Sequence, residues 1–182
     1  MRLWTLHSED VYTSLMEKGI YRCDPALSEC IEMAPKNFTN AYDWMNRQME
    51  RKVGPAPDGV IYPVWAWYIM GGRHRRPDFR WREMYFCLPM VCMEIEVPDE
   101  QVLLSDEDLW HIVLNDMYNF IDDDDYDRWD ALPEPQKTEE KEQSWDIVFN
   151  IKDKPYVQAT FWELKKEQVK KVWHIKQRLN RN

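Results

Sequence analysis

Residues 62–68 read Tyr62-Pro63-Val64-Trp65-Ala66-Trp67-Tyr68, and a basic stretch follows at once, from Gly71 to Arg82, with Arg73, His74, Arg75, Arg76, Arg80, Trp81 and Arg82. Indole and phenol rings give flat, apolar contact with a polar edge. Arginine forks match the oxygens of a phosphate. Side by side, the two suit a pocket for a nucleotide or another aromatic anion, with stacking by Trp65, Trp67 or Trp81. A solvated basic loop beside a packed aromatic strand is the plainer reading of the same residues.

Other candidate groups are weaker. Glu94 and Glu96 alternate with Val91, Met93, Ile95 and Val97. As a pair on one strand face they suit acid–base work, or else form the wet side of a half-buried sheet. Asp122 to Asp125 and Asp127 have the composition of a calcium loop. The sixth and twelfth positions counted from Asp122 are Asp127 and Pro133, however, where that loop needs glycine and a bidentate glutamate. A solvated loop is expected there, and no metal. His7, His74, His111 and His174 are scattered. No phosphate-binding loop, nucleophile elbow or dinucleotide fingerprint is present. Their absence removes the commonest hydrolase, NTPase and dehydrogenase readings at motif level and leaves room for a site assembled from distant segments.

The elements that must position these groups can be traced along the chain. Leu3 to His7 reads as a strand. Ser8 caps a helix whose apolar face is Val11, Tyr12, Leu15 and Met16, and Gly19 ends it. Asp24-Pro25 opens a short helix to about Ile31. Thr39 or Asn40 opens another, with Ala41, Trp44, Met45 and Met49 inward and Arg47, Glu50, Arg51 and Lys52 wet. After the loop 54–59 comes the aromatic strand, with Trp65 and Trp67 on one face and Val64 and Ala66 on the other. Met84 to Val97 reads as one long strand or two short ones, broken near Pro89. Ser105 caps a helix from Asp106 to about Asn119. Residues 122–125 and 133–140 read as loop, Ser144 to Ile151 and Tyr156 to Leu164 as strands, 165–170 as a helical turn and 172–175 as strand. Helices early and strands late give an α+β class.

The chain has 182 residues and 44% hydrophobic side chains, enough for one domain, 1–182, with a real core. The net charge of −9 opposes a general nucleic-acid binder. The basic stretch Arg73 to Arg82 is where nucleic acid is expected to touch, if at all. Cys23, Cys30, Cys87 and Cys92 lack metal spacing and read as reduced thiols of a cytoplasmic protein. Acidic residues near the N-terminus interrupt any signal peptide, and no apolar run reaches membrane-spanning length.

Four stretches together resemble an uncharacterised bacterial family, a domain of unknown function. They are LWTLHSEDVYTSLMEKGIY (3–21), YPVWAWY (62–68), PDEQVLLSDEDLWH (98–111) and VQATFWELKKEQVKKV (157–172). That likeness spans nearly the whole chain and brings no activity. More remotely the chain is similar to ADP-ribosyltransferase-like folds, especially the toxins that modify thymine in DNA. Those open with a strand reading aromatic-His-x-Thr and a helix ended by glycine. They continue with a central aromatic strand, and near the end carry a catalytic glutamate on a strand, then a helical turn and a final strand. Trp4 falls at the aromatic, Thr5 at the histidine, and Gln158 at the glutamate.

The resemblance implies an ADP-ribosyltransferase-like split antiparallel β core and NAD as co-substrate. Thr5 and Gln158 would meet the ribose, Trp4, Trp65 and Trp67 would shape the cleft, and Arg73, Arg75 and Arg76 would neutralise phosphate. As an enzyme, it would cleave the glycosidic bond of NAD and transfer to a nucleic-acid or nucleotide acceptor. Gln158 departs from the pattern. An amide hydrogen-bonds to a hydroxyl but is neither a carboxylate base nor a counter-charge for an oxocarbenium ion. Glu163, five residues on, faces the other side of its strand. A non-catalytic binding module of the same fold is therefore the alternative.

Overall fold

The computed structural model describes residues 1–24, 35–79 and 89–176. Strand β1 (Arg2–Ser8) runs directly into helix α1 (Glu9–Lys18). The Ser8 hydroxyl accepts from the Val11 N–H at 3.3 Å, and Glu9 and Asp10 sit at the positive helix end. Gly19 stops the helix at φ 82°, its N–H bonded to the Leu15 carbonyl. Next come β2 (Ile20–Tyr21), α2 (Pro35–Lys52), β3 (Val64–Met70), β4 (Met90–Glu96) and β5 (Leu103–Asp106). Helices α3 (Glu107–Leu114), α4 (Asp123–Asp130) and α5 (Gln136–Ser144) precede β6 (Tyr156–Phe161), β7 (Leu164–Lys165) and β8 (Val169–Ile175).

The six-stranded sheet has the order β5-β6-β3-β1-β4-β8, and every neighbouring pair is antiparallel. Strands β2 and β7 form a second, two-stranded sheet. The class is α+β, as composition and pattern predict. One junction differs from the rest. β1 and β4 register over seven residue pairs, from Arg2↔Glu96 to Ser8↔Met90, whereas β1 and β3 register only at Trp4↔Trp67.

Strand alternation sorts the side chains into two faces. One face carries Leu3, Val64, Ala66, Val91, Met93, Ile95, Ala159 and Phe161, covered by Leu15 of α1. The other face has two clusters. Over β5-β6-β3 lie Trp44, Met45 and Met49 of α2, Trp110 and Val113 of α3, and Trp145 and Val148. Over β1-β4-β8 lie Trp4, Cys92 and Ile175, with Phe79 and Trp173 against them.

Several boundaries differ from the sequence reading, each for a local reason. Residues 144–151 are the end of α5 and a 3₁₀ segment, Trp145–Phe149, not a strand. A short apolar run has no period that separates strand from helix, and Trp145 and Val148 are buried at helical spacing. The aspartate run is not loop: Asp122 caps α4 by accepting from the Asp125 N–H at 2.9 Å. Residues 136–144 are likewise helical. Asp106, not Ser105, caps α3, because a carboxylate one residue on takes the Asp108 N–H at 3.0 Å. That helix ends at Leu114, where Asp116 turns to φ 55°. α2 begins at Pro35, a residue tolerated in a first helical turn. The expected strand 156–164 breaks after Phe161, so that Leu164 and Lys165 pair with β2. Three α-helices lie between β5 and β6, so helices and strands interleave. The expected helix after Asp24 and the expected strand start at Met84 lie outside the described residues.

Candidate functional site

The strand registers draw one line across the sheet: Ser105↔Gln158↔Trp67↔Trp4↔Glu94↔Lys171. All six side chains share the face that carries α2 and α3. The next line on the same face is Leu103↔Thr160↔Trp65. Residues more than fifty positions apart in sequence thus become neighbours, and the line crosses the sheet where β1 and β3 barely pair.

Polar atoms on these lines are buried and unanswered. Ser105 Oγ, Gln158 Oε1, Trp4 Nε1 and Trp65 Nε1 have no hydrogen-bond partner among the described residues. Each such group costs about 1–3 kcal/mol, and native interiors rarely keep them without cause. Neighbours are satisfied by contrast. Thr160 Oγ1 donates to the Leu103 carbonyl at 3.2 Å. Glu94 lies 3.3 Å from Lys171 Nζ. Asp106, 1% exposed, uses Oδ1 for its helix cap and holds Lys154 Nζ at 2.6 Å with Oδ2. A further unpartnered oxygen, Asn46 Oδ1, belongs to α2.

Aromatic rings form one wall. Trp65 lies 4.9 Å from Trp110, and Tyr42 meets both edge-on at 6.0 Å. The opposite wall is the loop after β3. Gly71 and Gly72 take φ 62° and 69°, turning the chain back so that Gly72 N–H bonds the Pro155 carbonyl. His74 Nε2–H then donates to the Arg2 carbonyl at 2.8 Å, and its ring lies 5.1 Å from Trp4 and 4.6 Å from Tyr68. Arg76 stacks over Phe79 and Trp173 at 4.5 and 4.7 Å. Arg73 and Arg75 are exposed.

Trp4, Trp67 and Gln158 therefore fall on one line, Trp65 on the next, and Arg76 over the same face. Thr5 does not join them. It lies on the α1 face, fully buried, and its hydroxyl donates to the Trp65 carbonyl at 2.8 Å while His7 Nε2 sits 2.9 Å away. That hydroxyl ties β1 to β3 where backbone pairing stops. Glu163 pairs with Arg22 at 2.6 Å, away from the line. Arg80, Trp81 and Arg82 lie outside the described residues. Ser105, Tyr42 and Trp110 are neighbours of these lines that sequence reasoning missed. Ser105 and Asp106 are both cap-type residues, and only the register with Gln158 separates their roles.

Large clefts lie elsewhere among the described residues. One of about 540 Å³ is lined by Arg2, Glu96, Gln101, Lys165 and Lys170. Another of about 320 Å³ runs past Gly54, Pro57, Trp162 and Glu163. Neither has buried unanswered polar atoms, so chemistry and not volume singles out the β1–β3 seam. Burial pushes the Cys92 thiol up to about 12 and the half-buried Cys23 thiol upward too, which disfavours the thiolate at both. Among the described residues, no three His, Cys, Asp or Glu side chains are grouped to hold a metal, and no helix is long and apolar enough to cross a membrane.

The chain belongs to a family of unknown function: residues 2–170 match the model named Domain of unknown function (DUF3841). No curated protein matches the chain, and no solved structure does.

Proposed function

We propose that the seam between β1 and β3 is a cleft for NAD or a related nucleotide in an ADP-ribosyltransferase-like protein. The carrying observation is the set of buried, unpartnered polar atoms of Gln158, Ser105, Trp4 and Trp65, which share one sheet face. A sugar presents hydroxyls that both donate and accept, so one ribose answers an amide, a serine hydroxyl and an indole N–H together. Trp67 and Trp65 give flat contact beside them. Arg73, Arg75 and Arg76, on the loop that reaches Trp4, supply charge for a pyrophosphate.

Element order supports the fold half of this reading. An opening strand, a helix closed by Gly19, a central aromatic strand, a strand bearing residue 158, a short turn and a last strand follow in the sequence that the resemblance implies. The single registered pair joining β1 to β3 is what a core split at that junction would have.

Binding is the function these residues carry best, with catalysis second. Gln158 holds a hydroxyl but offers no negative charge to a developing oxocarbenium ion. Calorimetric titration with NAD and with ADP-ribose tests the cleft. Saturable binding is expected, weakened about tenfold or more in Gln158→Ala, the loss of roughly one good hydrogen bond. Absence of binding for both compounds would remove the reading. Gln158→Glu tests the chemistry separately: new NAD cleavage would mark a transferase that has lost its carboxylate, and continued binding without turnover would mark a binding module.

A further inference from the structure

Far from the seam, the stretch around the start of α4 holds apolar side chains in solvent. Ile121 is 90% exposed, Met117 51%, Phe120 45% and Tyr126 41%. Scattered singly, such side chains are ordinary, but a group gathered at one helix start is not. Ile121 stands just before the cap Asp122, and Tyr126 stands at the fourth helical position. Helices commonly close these two positions on each other as a hydrophobic staple. Here Tyr126 packs edge-on to Phe120 at 5.5 Å and beside Trp129 at 5.6 Å, and Ile121 stays in water.

The surface beneath is firmly built. Tyr118 and Trp129 stack at 4.7 Å. Asp125 accepts from the Ile121 N–H and the Tyr118 hydroxyl, and Arg128 bridges Asp125 to Glu140. Lys137 lies 4.6 Å over the Trp129 ring. The apolar side chains are therefore displayed on a fixed platform. Around them Asp123, Asp124 and Asp127 are exposed, and among the described residues none has a cation within ion-pair distance, whereas Asp130 has Lys137 at 2.6 Å.

We infer that this surface docks a basic amphipathic segment of a partner protein, its apolar side chains against Phe120, Ile121 and Tyr126 and its lysines or arginines toward Asp123, Asp124 and Asp127. Charge complementarity selects that occupant. Nucleic acid and anionic membranes are repelled here. A two-fold contact with a second copy would set the same aspartates against each other. Groove and platform recognition of an amphipathic helix uses this combination of apolar anchors and an opposite-charge rim. The inference is independent of the nucleotide cleft.

Fluorescence anisotropy with a labelled helix-forming peptide of leucine and lysine tests it, beside a control peptide of equal length and charge with serine in place of leucine. The leucine peptide is expected to bind about tenfold tighter or better than the control. Ile121→Asp makes the surface more acidic yet is expected to weaken the leucine peptide about tenfold, and Ile121→Ser to weaken it as well. Both side chains replace one that touches little, so the fold is retained. Neutralising Asp123, Asp124 and Asp127 to Asn should weaken binding and flatten its salt dependence. Equal binding of the two peptides, or unchanged or tighter binding to Ile121→Asp, would reduce the effect to bulk charge and overturn the inference. So would no binding, or a concentration-dependent dimer abolished by Ile121→Asp, which would give the face to a second copy.

Discussion

Thr5 has one hydroxyl proton and two partners. The Trp65 carbonyl at 2.8 Å can only accept, so the proton goes there, and the bond to His7 at 2.9 Å is donated by His7 Nε2–H. That places a proton on His7 Nε2, and burial, which pushes its pKa down from 6.5 to about 4, keeps the ring neutral at neutral pH. Between those two values the unfolded chain binds a proton that the folded chain refuses. Stability from this residue is therefore complete above about pH 6.5 and falls as the pH drops toward 4, by up to about 3 kcal/mol. Carboxylates also titrate in that window, so the informative quantity is a difference. His7→Gln keeps an N–H donor for Thr5 but has no charge to gain. Urea unfolding at neutral pH and near pH 4.5 should show a smaller loss of stability in His7→Gln than in the parent chain; equal losses would remove His7 as the cause.

At the scale of elements, α1 is defined at both ends by single residues. Gly19 has φ 82°, and a Cβ placed there would meet nothing within 4 Å. Gly19→Ala is therefore expected to cost about 1 kcal/mol through backbone strain alone, and Gly19→Asn less, since asparagine tolerates the left-handed region. A denaturant series on both variants checks the order; equal cost would mean that left-handed backbone strain is not what the substitution costs. Such local signals made β1, α1 and the two faces of β3 readable from sequence. The aspartate run was misread because four carboxylates look solvated, although a helix start also favours them. Residues 145–149 were misread because a brief apolar run fits either period. The site was readable in part. Trp4, Trp65, Trp67 and Gln158 were named and do share a face. Thr5 was named with them although adjacent strand residues point to opposite sides, so Trp4 and Thr5 cannot line the same cleft. Ser105 needed a register across more than fifty residues, which no local pattern supplies.

For the whole molecule, the two faces of the large sheet make opposite demands. On the helix-bearing face, separate clusters over β5-β6-β3 and over β1-β4-β8 leave a seam between them. Alone, that face would let the two halves of the sheet move apart at the one registered pair Trp4↔Trp67. The α1 face joins them. Its continuous core takes Val64, Ala66, Ala159 and Phe161 from one half and Leu3, Val91, Met93 and Ile95 from the other, with Leu15 of α1 fully buried over both. A core shared across the split should make unfolding all-or-none. Leu15→Ala is then expected to destabilise both halves together by about 2–5 kcal/mol, the usual cost of such a cavity. Tryptophan fluorescence is weighted toward the cluster with Trp44, Trp65, Trp110, Trp145 and Trp162, five of the chain's ten tryptophans, and far-ultraviolet circular dichroism reports on the whole backbone. The two transitions should coincide in the parent chain and shift by the same amount in Leu15→Ala. If instead the variant loses its ellipticity in two steps while the fluorescence midpoint stays put, the halves are independent and the α1 core does not couple them.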